Sequence, residues 1–216
     1  MNKFFARLIS SLFTERCPYC NAVVKCGEIA CDSCKPKIPQ PPYRFFANGG
    51  YMGYSAFPYK DIYANAVKRF KFNNNPQCSS KLAIPLKNAV EELLEKNDFD
   101  YITCVPMHKR REDKRGYNQA KLLAKDLSKL VNIPYADLIE KHKDNVPQHK
   151  CKGSERVKNV KGVYRAVNKE MVKDKNILVI DDIITSGSTL GECCKVLRKA
   201  GAKTICCGTM CVVIYT

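Results

Sequence analysis

Apolar residues recur at helical spacing at the start of the chain, where Phe4, Phe5, Leu8, Ile9, Leu12 and Phe13 mark an amphipathic helix within residues 1–16. Its apolar face is expected to dock on the chain's own core, with a partner or membrane surface as the alternative. Tyr51 to Phe57 alternates as a strand does. From 60 to 72 the period is helical again, with Ile62, Tyr63, Ala66, Val67 and Phe70 on one face and Lys68, Arg69 and Lys71 beside it. Phe70 and Phe72 are read as core residues there. A second helix is predicted over 80–96, and a strand over 100–106 that stops at Pro106. A third helix is predicted over 118–130, with Leu122, Leu123, Ala124, Leu127 and Leu130 turned inward. Asn176 to Ile180 then forms an uninterrupted β-branched and Leu run, as in a strand covered on both faces of a parallel sheet. The strand is predicted to end in Asp181 and Asp182. A loop follows, then a helix over 190–200 stopped by Gly201, then a last strand over 204–215. Strands alternating with helices predict an α/β fold on a mostly parallel central sheet flanked by helices.

Two stretches lack such a period. Pro36 to Pro42 holds four prolines in seven residues, which marks a stiff linker and divides the chain into 1–42 and 43–216. Lys141 to Arg165 is polar, with eight basic residues set against Asp144 and Glu155. A long irregular loop in a compact domain reads as a lid or mobile segment. A solvated linker is the plain alternative.

Charge narrows the partners. Lys and Arg number 37 against 21 Asp and Glu, a net +16, and residues 101–216 hold 23 of the basic side chains. Such a bias favours polyanions: nucleic acid, phosphorylated sugars or an acidic membrane surface. No apolar run approaches the roughly 18 residues needed to span a bilayer. No small-residue cleavage site follows the N-terminal pattern, so a cytoplasmic location is expected.

Thirteen cysteines remain to be accounted for. Cys17 and Cys20, then Cys31 and Cys34, form two C-x2-C knuckles with ten residues between them. Each knuckle can give two thiolates to one tetrahedral Zn²⁺, and four thiolates leave no open position, so the metal is read as structural. An iron–sulfur cluster fits this ribbon-like spacing less well. Cys26 lies between the knuckles as a spare. Cys78, Cys104, Cys151, Cys193, Cys194, Cys206, Cys207 and Cys211 mostly fall on core positions, where Cys acts as a small hydrophobe.

The stretch after the buried strand carries the chemistry. Thr185-Ser186-Gly187-Ser188-Thr189 is a small-residue loop before a helix N-terminus, a nest of backbone N–H groups suited to a phosphate. Two carboxylates beside it would repel a bare phosphate. They suit the vicinal hydroxyls of a ribose whose 5′-phosphate sits in the loop. A Rossmann-like turn is the alternative, but neither G-x-G-x-x-G nor G-x-x-x-x-G-K-[ST] occurs. The block resembles the motif with which type I phosphoribosyltransferases bind 5-phosphoribosyl pyrophosphate (PRPP), with Ser186 in place of the usual second Thr.

Further blocks appear in order: Val105-Pro106-Met107-His108 with Arg111, Arg115-Gly116-Tyr117-Asn118-Gln119, Pro147-Gln148, Arg156, and Asn159-Val160 with Gly162. With the cysteine pairs in front, the chain resembles the ComF competence family, a zinc ribbon followed by a type I phosphoribosyltransferase-like domain. At Gly153 that family often has a basic residue. The resemblance implies that 105–115 contacts pyrophosphate through Arg111 and Arg115, and that 147–162 is a flexible loop. It implies that Asp181 and Asp182 hold the ribose, with Thr185, Ser186, Gly187, Ser188 and Thr189 around the 5′-phosphate and Mg²⁺ on the pyrophosphate. His108 is a candidate acid or base, with a phosphate contact or a structural role as its plainer uses. The resemblance also implies single-stranded DNA handling in natural transformation, at the inner face of the membrane and beside a helicase of the uptake machinery. Lys109, Arg110, Lys150, Lys152, Arg156 and Lys158 would be the basic contacts. An active phosphoribosyltransferase with an unidentified acceptor is the second reading, and a zinc-dependent adaptor the third. No hood that would read a base is recognisable.

Overall fold

The computed structural model describes residues 15–38, 40–72, 75–143 and 159–215. In chain order the strands are β1 (Glu15–Arg16), β2 (Val23–Val24), β3 (Tyr43–Ala47), β4 (Tyr51–Pro58), β5 (Tyr101–Cys104), β6 (Ile139–Lys141), β7 (Tyr164–Ala166), β8 (Asn176–Ile184) and β9 (Thr204–Val212). The helices are α1 (Asp61–Phe72), α2 (Cys78–Lys96), α3 (Lys109–Arg115), α4 (Gln119–Val131), α5 (Lys169–Val172) and α6 (Ser188–Lys199).

A five-stranded sheet runs β3-β4-β9-β8-β5, parallel except for the antiparallel edge strand β3. The apolar run in β8 is covered on both faces, as its composition requires. Leu178 and Ile180 pack with Leu82, Leu86 and Val90 of α2 and Leu123 and Leu127 of α4. Ile177 and Val179 pack with Leu190, Cys193 and Leu197 of α6 on the other face. Gly208 of β9 lets α2 approach: a Cβ there would lie 2.9 Å from Val90 Cγ1. Cys78, Cys104, Cys193, Cys194, Cys206, Cys207 and Cys211 are all buried. The α/β expectation holds.

The cysteine-rich segment packs onto the same core. Tyr19 meets Phe57 and Tyr63 edge-on, with ring centroids 6.0 and 6.3 Å apart. Tyr63 Oη donates to the Lys37 carbonyl at 2.5 Å, and Arg69 donates to the Tyr19 carbonyl. The proline stretch is thus tied to α1 at Lys37.

Several expectations are corrected. β8 does not end at the two acids; it continues through Ile183 and Ile184, because β9 supplies pairing partners at Cys211 and Val212. β3 was not anticipated, and it returns to β4 through a turn in which Gly49 and Gly50 have φ of 95° and 80°. The basic stretch after Pro106 is not all loop but contains α3. The aperiodic stretch 141–165 begins and ends in strand, with Glu140 opposite Arg165 in the β6–β7 pair. Leu130 and Phe72 are exposed, at 44% and 70%, since each lies at a helix end beyond its packed face. The N-terminal helical pattern at 1–14 lies outside the described residues, and Glu15 and Arg16 form strand β1. Cys151 also lies outside them. Among the described residues, no helix is long and apolar enough to cross a membrane.

Candidate functional site

β5 and β8 run parallel and end side by side, and a cavity of about 790 Å³ opens there. Open α/β sheets place ligands at the carboxyl ends of their strands. All nine residues expected to meet a sugar phosphate line this cavity: Asp181, Asp182, Thr185, Ser186, Gly187, Ser188, Thr189, Arg111 and Arg115. Lys109 and Arg110 are exposed on α3 and do not line it. Lys150, Lys152, Arg156 and Lys158 lie outside the described residues.

The phosphate-type loop is shaped by its small residues. Gly187 takes φ 71° at the N-cap of α6, and no side chain caps the helix. The first N–H groups of α6 are therefore not claimed by a capping side chain, and the helix dipole adds about half a positive charge. Ser186 and Ser188 hydroxyls lie 2.9 Å apart. The β3–β4 turn braces the loop from behind: Asn48 N donates to the Gly187 carbonyl at 3.3 Å, and Asn48 Nδ2 to Ser188 Oγ at 3.4 Å. A Cβ on Gly191 would meet the Asn48 carbonyl oxygen at 2.3 Å, so this packing requires glycine.

The two acids have unlike partners. Asp182 is 7% exposed, and its Oδ2 lies 3.0 Å from Lys71 Nζ. Asp181 accepts the Asp182 N–H at 2.8 Å. Desolvation, and then the Asp182 carboxylate, push Asp181 up to about 8 against the pull of Lys71. Burial is the first cause, so the raised carboxyl marks a desolvated acid in a cavity that Lys71, Arg111 and Arg115 also line.

The Arg115 to Gln119 block fixes the rim. Gly116 ends α3 with φ 88°, its N–H donating to the Glu112 carbonyl. Asn118 caps α4 through Oδ1, which accepts from Ala120 N, while its Nδ2 donates to the Val105 carbonyl at 3.0 Å. Tyr117 Oη and Gln119 Nε2 both donate to the Phe70 carbonyl. The block thus fastens the end of α1 to the cavity wall. His108 serves as the N-cap of α3, its Nδ1 accepting from Arg110 N at 3.3 Å. That is a structural role, and His108 is not among the residues lining the cavity.

Sequence reasoning missed Lys71 as the partner of Asp182, and Tyr164 as part of the lining. Burial pushes the Tyr164 phenol up, and it sits in strand β7, whose three residues are too few to show a period. Lys71 belonged to a basic helix face already visible in the sequence, but its partner is distant along the chain.

In the cysteine-rich segment, the sulfurs of Cys17, Cys20, Cys31 and Cys34 lie within 4.8 Å of one another. Tetrahedral thiolates at about 2.3 Å from Zn²⁺ stand roughly 3.8 Å apart, so the cluster fits a zinc ribbon. Desolvation opposes ionisation of Cys17, but hydrogen bonds from the backbone at Cys31, Cys20 and Tyr19 outweigh it and bring the thiol down to about 7. Cys26 is exposed and bonds Glu15 instead.

Comparison with known proteins agrees with this layout. Residues 113–214 match the family described as the phosphoribosyl transferase domain. Competence protein F of Haemophilus influenzae is 34% identical over 144 residues, 64% of this chain and 63% of that protein. The chain therefore spans just under two thirds of that relative. The DNA utilization protein YhgH of Escherichia coli is 25% identical over 88% of this chain and 80% of its own length. Competence protein ComFC of Bacillus subtilis is 28% identical over 68% of this chain and 58% of its own. Among solved structures, an adenine phosphoribosyltransferase aligns with TM-score 0.43 and 15% identity over 79% of this chain and 83% of that one.

Proposed function

Because the chain belongs to the ComF competence family, with its phosphoribosyltransferase-type domain, we propose that it binds PRPP or a related ribose phosphate and handles single-stranded DNA during natural transformation. One observation carries the ligand reading. Two adjacent carboxylates line the same cavity as a small-residue loop whose following helix has no side-chain cap. The loop suits a 5′-phosphate, which would take the N–H groups and hydroxyls there. The acids suit the ribose hydroxyls, whose O–H groups would donate to them. Those donors would also favour the ionised Asp181 that burial and the Asp182 carboxylate disfavour.

Arg111 and Arg115 supply positive charge to a pyrophosphate at the rim. Mg²⁺ prefers hard oxygen donors and is commonly held by one or two carboxylates plus ligand phosphates, a donor set that Asp181 and Asp182 fit. When bound, the ion would neutralise charge on the pyrophosphate. Zn²⁺ in the ribbon is structural in this reading. The DNA role rests on the relatives' names, two being competence proteins and one a DNA utilization protein, and on the net charge of +16.

Calorimetric titration of PRPP with Mg²⁺ tests the pocket in wild type and in Asp181→Asn with Asp182→Asn. Losing two charge-assisted hydrogen bonds should weaken binding by about 100-fold or more with an unchanged circular dichroism spectrum. Equal affinity in the two proteins sinks the ligand reading. Single-stranded DNA affinity that falls steeply with salt in both proteins is the expected companion result.

A further inference from the structure

An ionised phosphate offers only acceptor oxygens, so a hydroxyl beside it helps only when its proton, not a lone pair, faces the ligand. Which way a hydroxyl turns is set by its other neighbours. Ser186 and Ser188 both line the cavity, and their Oγ atoms lie 2.9 Å apart. Two hydroxyls carry two protons. One proton bridges the pair and one is left over. By themselves the two serines do not decide whether that second proton points into the cavity or back into the fold.

A third group decides it. Asn48 Nδ2 lies 3.4 Å from Ser188 Oγ, and an amide NH₂ only donates. Ser188 therefore accepts on the side of the hairpin, and the left-over proton has to leave on the cavity side, whichever serine carries it. The fold holds Asn48 at this spot through its backbone. Asn48 N donates to the Gly187 carbonyl at 3.3 Å. A Cβ on Gly187 would stand 3.1 Å from Ala47 Cα, and one on Gly191 would stand 2.3 Å from the Asn48 carbonyl oxygen. Asn48 itself is not among the residues lining the cavity, so any effect on a ligand passes through Ser188.

Resting on the ribose-phosphate reading above, we infer that Asn48 is a positioning residue for the phosphate end of the site. Its amide donates to Ser188 and so makes the hydroxyl pair a net donor toward the ligand's phosphate. The small-residue loop is then incomplete without a side chain from the β3–β4 turn, far earlier in the chain. Asp at this position would keep the size and reverse the polarity. Its carboxylate would draw the Ser188 proton back toward the hairpin and turn a lone pair toward the phosphate.

The test titrates ribose 5-phosphate with Mg²⁺ into wild type, Asn48→Ala, Asn48→Asp, Ser188→Ala and the Asn48→Ala/Ser188→Ala double variant, with a melting curve for each. Asn48→Ala should weaken binding about 5-fold, the order of one net hydrogen bond, and Asn48→Asp about 10-fold or more. Adding Asn48→Ala to Ser188→Ala should cost no further affinity, because no Ser188 hydroxyl remains to be oriented. Additive losses would mean that Asn48 only supports the turn, and they overturn the inference. So does wild-type affinity in Asn48→Ala or in Ser188→Ala. If Asn48→Ala does not fold, the same cycle is run with Asn48→Asp, whose loss should shrink in the Ser188→Ala background; an undiminished loss overturns the inference. If ribose 5-phosphate does not bind wild type at all, the ribose-phosphate reading falls and takes this one with it. Binding in wild type with additive variants sinks the role of Asn48 alone.

Discussion

The cysteine ribbon and the strand-end cavity are both built from short loops, but they spend their polar groups in opposite ways. In the ribbon, four sulfurs converge on one another within 4.8 Å, and two of the four cysteines are buried. With one ion bound, that donor set would leave no open position for a substrate. In the cavity, carboxylates, hydroxyls and helix N–H groups surround open space, and one acid is held near pKa 8, first by burial and then by the acid beside it. A closed donor set is satisfied by one ion and stabilises the fold; an open one is strained until a ligand arrives. The same chain shows both, joined through a shared core around Tyr19, Phe57 and Tyr63.

The largest effect should come from breaking the closed side. Cys17→Ser removes a buried ligand, and the metal's binding free energy is folding free energy for residues 17–38, which have few large apolar side chains of their own. We expect about 5 kcal/mol or more of lost stability, about 10–20 °C in Tm, together with loss of one zinc equivalent per chain by elemental analysis. Cys26→Ser is the contrast: it should keep the metal and melt with wild type. Zinc lost from the Cys26 variant, or retained by Cys17→Ser, contradicts the four-thiolate assignment.

The open side should respond in the other direction. Folded Asp181 holds its proton up to about pH 8, whereas an unfolded Asp releases it near 4, so the native state binds more protons between those values. The contribution of this group to the stability of the ligand-free protein is therefore fully present below the unfolded pKa and is lost as pH rises through about 8. Asp181→Asn removes that slope and should melt about 3–6 °C above wild type at pH 9, with the gap closing at pH 5. Melting curves of the two proteins that stay parallel across this range would show that the acid pair carries no such strain. A ribbon substitution is thus expected to cost stability, and a cavity substitution to add it while removing ligand binding.

The two regions also differ in how far the sequence reveals them. The ribbon is legible almost whole, because its ligands come in local pairs and the metal's geometry dictates their spacing. The β8–loop–α6 unit is legible for a similar reason: strand, small-residue loop and helix follow one another directly. What stays hidden is long-range. β3 becomes a strand because Phe45 and its neighbours pair with β4, and nothing in Tyr43 to Ala47 alone requires it. The ion pair of Lys71 with Asp182 joins elements that meet only after the sheet is assembled. Asn48 braces the phosphate-type loop from a hairpin turn, where Asn beside two glycines signals only the turn. Phe72 misled for a physical reason: helical periodicity accounts for Phe70, but its last residue has left the packed face. The Arg115 to Gln119 block was visible as a motif, yet its work in capping α4 and fastening α1 depends on contacts that spacing cannot express.

The smallest expected effects lie on α3, outside the cavity, and they separate the two surfaces most finely. Lys109 and Arg110 are exposed and do not line the ligand site, so they can serve a polyanion without touching a ribose phosphate. Each phosphate contact with a single strand steepens the fall of log K with log salt by about 0.7. Lys109→Ala and Arg110→Ala should each reduce that slope by about this amount and weaken single-stranded DNA binding a few-fold at low salt. Fluorescence anisotropy of a labelled oligonucleotide across a salt series measures both. Ribose phosphate affinity should stay at the wild-type value in either variant, because a guanidinium or ammonium group in solvent is screened over about 10 Å at 0.1 M salt. A salt slope that does not change moves the DNA-binding surface off α3. A parallel loss of ribose phosphate binding would mean that α3 and the cavity act as one continuous anion surface.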